Sequence, residues 1–350
     1  MRAATSALPF VLFVSIVACN AITGVDDLTR VNSTTPQNEA GTPCNGADLT
    51  SDASNCGECG NACGQGDFCA ASTCSAGCSG GLLYVSPTGK DDATGCTTDA
   101  PLFTLTHALS IAKAQGNALV QEIHACKGTY KEPQISLDFK ASLRGGYDCT
   151  SWKRTAGFGY PLFDKTNLTE IDSTTPVGTS AVTTLVVGGA AVDASVIVDG
   201  FAIRGSSVAA TTVALGLGAG SPTIKDDQLL GGGPIEASAP NASIGIQISG
   251  GGSPEITSCD VDGGSGQSMS TNASAAGSVG ILIGADSGSP SIHDGIIGGG
   301  SGQAASGNGS IGIAIAGGTF TSANAIRLNS INGGTGKVSS KGGPSVGISS

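Results

Sequence analysis

The chain has 350 residues, a formal net charge of −11 and 56 glycines, with only 4% aromatic and 12% charged residues. The negative charge argues against nucleic acid as a partner, because proteins that bind nucleic acid present patches of lysine and arginine. The length allows one or two domains, and the shortage of aromatic residues indicates a thin core of stacked aliphatic side chains.

The first residues predict export. Arg2 precedes an apolar run over residues 8–17, which has the length of a signal peptide and is too short to span a membrane as a mature helix. The end of the run, Ile16-Val17-Ala18-Cys19, resembles the lipobox of bacterial lipoproteins. The resemblance implies that residues 1–18 are removed and that Cys19 is acylated, which would anchor the protein in the bacterial cell envelope, at the outer membrane or cell surface. The alternative is an ordinary secreted protein cleaved nearby, with Cys19 as an incidental thiol.

A tether and a cysteine-rich module are predicted after the signal. Residues 19–43 have no periodic apolar pattern, which is typical of a flexible linker. Residues 44–80 hold seven cysteines and almost no large apolar residues. Their core, Asn55-Cys56-Gly57-Glu58-Cys59-Gly60-Asn61-Ala62-Cys63, resembles cysteine-rich modules of myxobacterial surface proteins and, more loosely, the plant stigma-specific secreted family.

The cysteines could form disulfides, or they could bind zinc through their CxxC spacing. Export favours disulfides, because they persist in oxidising compartments and because so small an apolar content needs crosslinks to fold. Since seven is an odd number, one cysteine must pair outside the module or stay free, and spacing does not decide the pairing. The disulfide candidates are Cys44, Cys56, Cys59, Cys63, Cys69, Cys74, Cys78, Cys96, Cys126 and Cys149, whereas Cys259 stands alone further along.

Three motifs follow one another between residues 83 and 135. They are Leu83-Tyr84-Val85-Ser86-Pro87-Thr88-Gly89-Lys90-Asp91, Ala100-Pro101-Leu102-Phe103-Thr104-Leu105-Thr106-His107-Ala108-Leu109, and Gly128-Thr129-Tyr130. The motifs are similar to the bacterial domain of unknown function that opens many right-handed parallel β-helix proteins of the pectin-lyase-like superfamily. The resemblance implies that residues 81–135 form the N-terminal cap and the first coil of such a β-helix.

An amphipathic helix is predicted within this cap, with Thr104 as its N-cap. Its apolar face consists of Leu105, Ala108, Leu109 and Ala112. Because a solenoid has an open apolar end that must be covered, we expect the helix to precede the first coil. Residues 119–125 then predict the first strand, and Gly128-Thr129-Tyr130 predicts the turn after it.

Residues 136–350 predict the coils of the β-helix. The coils are irregular at first, with Trp152 and Phe158 expected to pack around an insertion, and later repeat every 31 to 35 residues. The recurring phrases include Ser243-Ile244-Gly245-Ile246-Gln247-Ile248, Ser253-Pro254-Glu255-Ile256 and Val261-Asp262-Gly263-Gly264. Short β-branched segments punctuated by glycine predict an all-β, right-handed parallel β-helix with coils ~4.8 Å apart. One internal ladder would contain Ile246, Ile281 and Ile313, and another Ile224, Ile256 and Ile292.

The repeats also contain loops, and the chain ends within a repeat. Residues 231–242, 264–277, 299–309 and 333–344 are rich in glycine and serine and should form a flexible ridge on one side. Asn241, Asn272 and Asn308 begin Asn-x-Ser triplets there, which we interpret as turns rather than glycosylation sites. Since the final phrase stops after one strand of a coil, we expect the chain to be a fragment or a truncated product.

Candidates for catalysis are weak. Polysaccharide lyases and hydrolases of the superfamily that the chain resembles place acidic residues and an Arg or Lys base on one face over adjacent coils. The candidates are Asp226, Asp294 and Arg327, and the polar residues considered with them are Asp227, Asp260, Asp262 and His293. Asp226, Ser258 and Asp294 are equivalent in the repeats, so the two carboxylates should lie ~10 Å apart, too far for one metal ion. A turn with left-handed backbone accounts better for all three positions.

The histidines do not predict a site either. His293 is expected at the surface beside Asp294, and His107 and His124 are isolated in the sequence. No metal site and no cofactor is predicted, and the chain holds no phosphate-binding or dinucleotide-binding motif.

The sequence therefore favours a cell-surface lipoprotein whose β-helix has a structural, adhesive or glycan-binding role and no enzymatic one. The expected partners are the membrane, through the lipid, and a polysaccharide or another surface protein. The alternative is a carbohydrate-active enzyme, a polysaccharide lyase or hydrolase, for which fold resemblance is the only support. A metal-handling role is weaker still, because the chain has three histidines and two methionines.

Overall fold

The computed structural model forms a right-handed parallel β-helix of three sheets, with one helix and a small disulfide-bonded module before it. It describes residues 47, 49–50, 52, 54–64, 67–70, 72–78, 80–115, 121–154, 166–174, 181–207, 211–233, 241–268, 276–304, 308–317, 326–327, 329–334, 337–338 and 346–349. The predicted signal segment, Cys19 and the tether lie outside the described residues and stay predictions.

Each sheet runs along the solenoid and takes one strand from each coil. The first sheet contains β3 (Leu82–Val85), β4 (Glu122–Cys126), β7 (Ser142–Tyr147), β10 (Ile197–Asp199), β13 (Thr223–Lys225), β16 (Glu255–Thr257), β20 (Ser291–His293) and β24 (Ile326–Arg327). The second contains β5 (Gly128–Glu132), β8 (Thr169–Ser173), β11 (Ala202–Arg204), β14 (Gln228–Leu230), β17 (Asp260–Asp262), β21 (Ile296–Gly298) and β25 (Ser330–Asn332). The third contains β6 (Ile135–Leu137), β9 (Ala181–Val187), β12 (Thr211–Leu217), β15 (Asn241–Ile248), β19 (Ala276–Ile283), β23 (Asn308–Ile315) and β27 (Val346–Ser349).

The predicted isoleucine ladders are confirmed. Ile246 pairs in parallel register with Ile281, and Ile281 with Ile313, and all three are fully buried. The second ladder, through Ile224, Ile256 and Ile292, is equally in register and buried. Inward-pointing residues of the strands form an aliphatic core along the coils, and Val213, Ile244, Val279 and Ile311 form a second, separate buried cluster on the third sheet.

Close approach between the third and second sheets explains the glycine in the Ser-Ile-Gly-Ile phrase. A Cβ at Gly280 would lie 2.5 Å from the Gly312 carbonyl oxygen and 2.6 Å from that of Gly298, closer than real side chains come. The serine that opens the phrase has its own role, since the Ser243 hydroxyl donates to the Gly232 carbonyl oxygen at 2.6 Å. Gly232 corresponds to Gly264 of the Val-Asp-Gly-Gly phrase, one coil earlier. Hydrogen bonds therefore join the serine phrase to the glycine phrase in the folded coil.

The cap contains the predicted helix, but the chain enters the β-helix earlier than expected. Helix α1 (Leu105–Gln115) buries the predicted face together with Ile111, and the Thr104 hydroxyl accepts the His107 N–H at 3.1 Å as an N-cap. The buried Glu132 carboxylate accepts the Leu105 N–H at 2.7 Å, which places negative charge at the helix N-terminus. The first strand of the β-helix is β3, which precedes the helix. Leu83 and Val85, at alternate positions of β3, are buried in the core.

Two details of the first coil were predicted wrongly. The strand expected over residues 119–125 is β4, the second of its sheet, and residues 119–120 lie outside the described residues. Gly128-Thr129-Tyr130 is not a turn but begins β5, with Lys127 alone at the corner. The Tyr130 ring is buried and its hydroxyl lies 2.9 Å from both the Val85 and the Cys126 carbonyl oxygens, so the motif packs inward.

Disulfides crosslink the N-terminal module and the early coils, as the sequence predicted. In the module, β1 (Asp67–Ala70) and β2 (Thr73–Ala76) form an antiparallel hairpin. The disulfides are Cys56–Cys69, Cys63–Cys74, Cys78–Cys96 and Cys126–Cys149, and Cys59 is also disulfide-bonded. Cys78 is the member of the cluster that pairs outside it, and Cys259 is buried as a free thiol.

Part of the ridge predicted to be flexible is a regular sheet. β18 (Gln267–Ser268), β22 (Gln303–Ala304) and β26 (Lys337–Val338) pair in parallel, since loops of similar length recur in register. Asn241 and Asn308 open β15 and β23 rather than turns, while Asn272 and Phe158 lie outside the described residues. Within the described segments, no helix has the length and apolar character needed to cross a membrane.

Candidate functional site

The three equivalent residues considered for catalysis or a turn occupy the corner between the first and second sheets. Asp226, Ser258 and Asp294 have φ angles of 54°, 54° and 59°. This left-handed backbone confirms the predicted turn conformation, which Asp and Ser tolerate at little cost. Asp226 and Asp294 belong to coils two steps apart, ~10 Å, so the corner alone does not bring their carboxylates together.

His293 lies beside Asp294 as predicted, but the histidine is buried rather than at the surface. The His293 ring Nδ1 is 2.7 Å from Asp294 Oδ2, and Nε2 is 3.2 Å from Glu255 Oε1. Only 10% of the side chain is exposed, because the neighbouring carboxylates and coils cover it. Arg327 is exposed and pairs in register with His293 on the next strand. Both ring nitrogens of His293 therefore have a carboxylate partner nearby.

Asp227 occupies the inward side of the same corner and is fully buried. Its Oδ1 accepts the Phe201 N–H at 2.7 Å, whereas its Oδ2 has no hydrogen-bond partner among the residues that the structure describes. Burial raises the pKa of the Asp227 carboxyl well above its usual value, and the nearby Asp199 carboxylate raises this pKa further. Asp227 therefore belongs to the core and is closed to a ligand. Asp260 lies on the second sheet, where its carboxylate accepts the Gln228 amide at 3.0 Å.

His124 is not isolated, contrary to the prediction. The ring stacks on Tyr147 at a centroid distance of 4.4 Å, and its Nε2 lies 2.9 Å from Glu122 Oε2. Trp152 packs edge-on against Tyr84 at 4.8 Å, with a left-handed φ of 50°. Parallel stacking brings these residues together although they are far apart in sequence, and the early coils have no repeat from which the alignment could be predicted.

A buried carboxylate holds this aromatic cluster to the sheet. Asp199 is fully buried and contacts three cations: Arg144 and Arg154, through their guanidinium groups, and Lys225, whose Nζ is 3.2 Å away. Arg154 belongs to the loop that the Cys126–Cys149 disulfide ties to β4. Three cations face this one carboxylate and Arg144 also pairs with Glu122, so the ion pairs position the loop.

A groove of about 880 Å³ runs along the outside of the second sheet. Its lining consists of Asp172, Arg204, Gly205, Ser207, Leu230, Gly231, Gly232, Gly233, Asp262, Gly264, Ser265, Gly300, Ser301, Asn332 and Gly334, and we call it the glycine groove. Asp172, Arg204, Leu230, Asp262, Gly298 and Asn332 pair in register on six successive strands. The groove therefore extends over about 24 Å along the solenoid axis.

One wall of the groove is backbone. Gly264, Gly300 and Gly334 have φ angles of 76°, 76° and 72°, in the left-handed region that favours glycine. A Cβ at Gly300 would lie 2.2 Å from the Gly264 carbonyl oxygen, so each glycine stacks directly on the glycine of the preceding coil. The paired glycines that end each sequence repeat were the available signal for this wall.

Backbone N–H groups hold the polar side chains of the groove in place. Asp262 Oδ1 accepts the Gly264 N–H at 2.6 Å, and Asn332 Oδ1 accepts the Gly334 N–H at 2.9 Å. Burial raises the pKa of the Asp262 carboxyl above its ordinary value. Gly298 lies between Asp262 and Asn332 in the register, which leaves a gap without a side chain. The groove can thus present polar side chains from four of the six strands to an extended ligand.

Comparison with known proteins gives little beyond architecture. No protein-family model matches the chain, and no curated protein matches it. A similar solved structure is the crystal structure of pectate lyase Pel9A, with 13% sequence identity and a TM-score of 0.42. The similarity covers 67% of this chain and 52% of that protein, so the chain corresponds to about half the length of the lyase.

Proposed function

We propose that this protein is an exported β-helix that binds a glycan chain in the glycine groove without cleaving it. The observation that carries the proposal is the groove of about 880 Å³, open along six successive strands and faced by backbone and polar side chains. A linear polysaccharide presents hydroxyl groups at regular intervals. Polar side chains from four of the six strands, which are ~4.8 Å apart, suit such a polymer better than a compact small molecule.

Steric blocking tests the proposal. Ser265 and Ser301 are exposed in the groove, so Ser301→Trp should fill it and abolish binding of the full exported chain to soluble polysaccharides in affinity electrophoresis. Thr98→Trp adds the same bulk at an exposed loop position that does not line the groove and serves as the matched control. If no polysaccharide in the gel slows the migration of the unmodified chain, glycan binding is refuted.

Export is supported by the disulfides, which persist in oxidising compartments. We further propose that Cys19 carries a lipid that anchors the protein to the bacterial outer membrane or cell surface, as the lipobox-like sequence suggests. Labelled palmitate should be incorporated into the unmodified chain and not into a Cys19→Ser variant. Incorporation that survives the substitution contradicts the anchor.

Cleavage of the glycan is not included in the proposal. In the described coils, the candidates Asp226, Asp294 and Arg327 lie at the corner and on the first sheet, and none of them lines the glycine groove. Incubation with acidic polysaccharides should therefore produce no unsaturated uronate absorbance. A rise in that absorbance which is lost in Arg327→Ala would establish the lyase alternative instead.

A further inference from the structure

We infer that the glycine groove binds a linear polysaccharide without acidic groups and excludes polyuronates. The inference rests on the proposed glycan binding and names the chemical class of the ligand. It follows from the charges that line the groove and from the way in which they are held.

The groove presents acceptors and little free positive charge. Asp172 and Asp262 contribute carboxylates, and Arg204 is the cation among the described lining residues. The Arg204 guanidinium is engaged by the carboxylate of Glu170 on the neighbouring strand. A polyuronate would place its own carboxylates beside Asp172 and Asp262, and the chain as a whole carries a net charge of −11. Like charges brought together in this way oppose association.

Hydroxyl groups meet both donors and acceptors in the groove. Arg204 pairs in register with Asp172 on the adjacent strand, and 47% of its side chain is exposed. Neutral hydroxyl groups are not repelled by the carboxylates, because they can donate to them and can accept from Arg204 and the serine hydroxyls.

Asp262 has the geometry of a fixed acceptor for a hydroxyl. The Gly264 N–H holds Oδ1, and the space beside Oδ2 is kept open by Gly298, where an added Cβ would lie 3.5 Å from that oxygen. Asn332 repeats the arrangement two coils further on and offers an amide in place of a carboxylate. Hydrogen bonds to a carboxylate are stronger than those to a neutral acceptor, so Asp262 should contribute most to affinity.

Calorimetric titration of the full exported chain with three polymers tests the inference: a neutral linear glucan, a polyuronate and a polyglucosamine. We expect the glucan to bind, the polyuronate to bind at least about tenfold more weakly, and the polyglucosamine, whose ammonium groups meet carboxylates, not to be excluded. Asp262→Asn should weaken glucan binding about tenfold, and the double variant Asp172→Asn/Asp262→Asn should bind the polyuronate more tightly than the unmodified chain does. Glu255→Gln, a carboxylate outside the groove, should change neither value.

The outcomes separate the two proposals. Polyuronate binding as tight as glucan binding, blocked by Ser301→Trp, would overturn the exclusion of acidic polymers and leave glycan binding in place. Glucan binding that is unaffected by Asp262→Asn would overturn the role of this carboxylate. Failure of all three polymers to bind would remove the proposed function itself.

Discussion

Asp227 and Asn329 occupy equivalent positions three coils apart, on the inward side of the corner between the first and second sheets. Asn329 satisfies two backbone groups of the preceding coil: Oδ1 accepts the Gly295 N–H at 2.9 Å, and Nδ2 donates to the Ile292 carbonyl oxygen at 2.8 Å. Asp227 makes the first of these bonds and leaves Oδ2 unpaired among the described residues. By register, the acceptor that matches Ile292 is the Val198 carbonyl, which a carboxyl can meet only when it is protonated.

Asp227→Asn should therefore make the protein less sensitive to high pH. Burial raises the pKa of the Asp227 carboxyl. The stabilisation from the protonated carboxyl is therefore fully present below the unfolded pKa of about 3.9, and the unmodified protein loses it as pH rises through the folded pKa. The loss amounts to at most about 1.4 kcal/mol per pH unit. Denaturant unfolding at pH 5 and pH 8 should show that the free energy of unfolding of the variant rises relative to that of the unmodified protein as pH increases. A constant difference between the two would contradict a protonated Asp227.

At the scale of the strand, Gly280 determines how closely the third sheet approaches the second. Gly280→Ala should destabilise the protein by about 1–3 kcal/mol, because its Cβ would collide with two carbonyl oxygens rather than with a movable side chain. Denaturant midpoints provide the measurement. Gly80→Ala is the control, since an added Cβ there meets nothing within 4 Å. Equal midpoints for the two variants would show that the coil can widen without cost.

The same elements show what could be read from the sequence. Ile246, Ile281 and Ile313 were predictable as a ladder because identical phrases recur at nearly constant spacing, which fixes the register. The cluster around His124 was not predictable, since Tyr147 and Asp199 come from later coils of unequal length. The strand β5 was mistaken for a turn because Gly128-Thr129 is common in turns, whereas the buried ring of Tyr130 orients it as a strand.

The glycine groove was only partly predictable. The paired glycines at the end of each repeat were visible in the sequence, and Asp262 was considered there among acidic residues for catalysis. The sequence does not show which side chains point outward from the solenoid axis and which point inward. The hydrogen bonds of Asp262 to Gly264 and of Asn332 to Gly334 define the outer face, and they involve backbone groups that carry no sequence signal.

At the scale of the molecule, each coil contacts mainly its neighbours, as in other solenoids. Removal of residues 249–283 would join Ile248 to Gly284 in register, because Ile248 and Ile283 are equivalent. We expect this variant to fold with a groove shorter by ~4.8 Å and with weaker glycan affinity. Circular dichroism and the same titration measure both effects. Deletion of residues 249–266, which breaks the register, should prevent folding, and cooperative unfolding of that variant would contradict a modular solenoid.

The Cys78–Cys96 disulfide determines how the protein would respond to mechanical load. Strand β3 lies between the two cysteines, so tension applied from the N-terminal side passes across the covalent bond and bypasses that strand. The first strand of the first sheet then cannot be peeled away before the coils that follow it. In single-molecule stretching, the double variant Cys78→Ser/Cys96→Ser should add the contour length of the 18-residue separation and lower the first rupture force. Identical force traces for this variant and the unmodified protein would show that the load enters elsewhere.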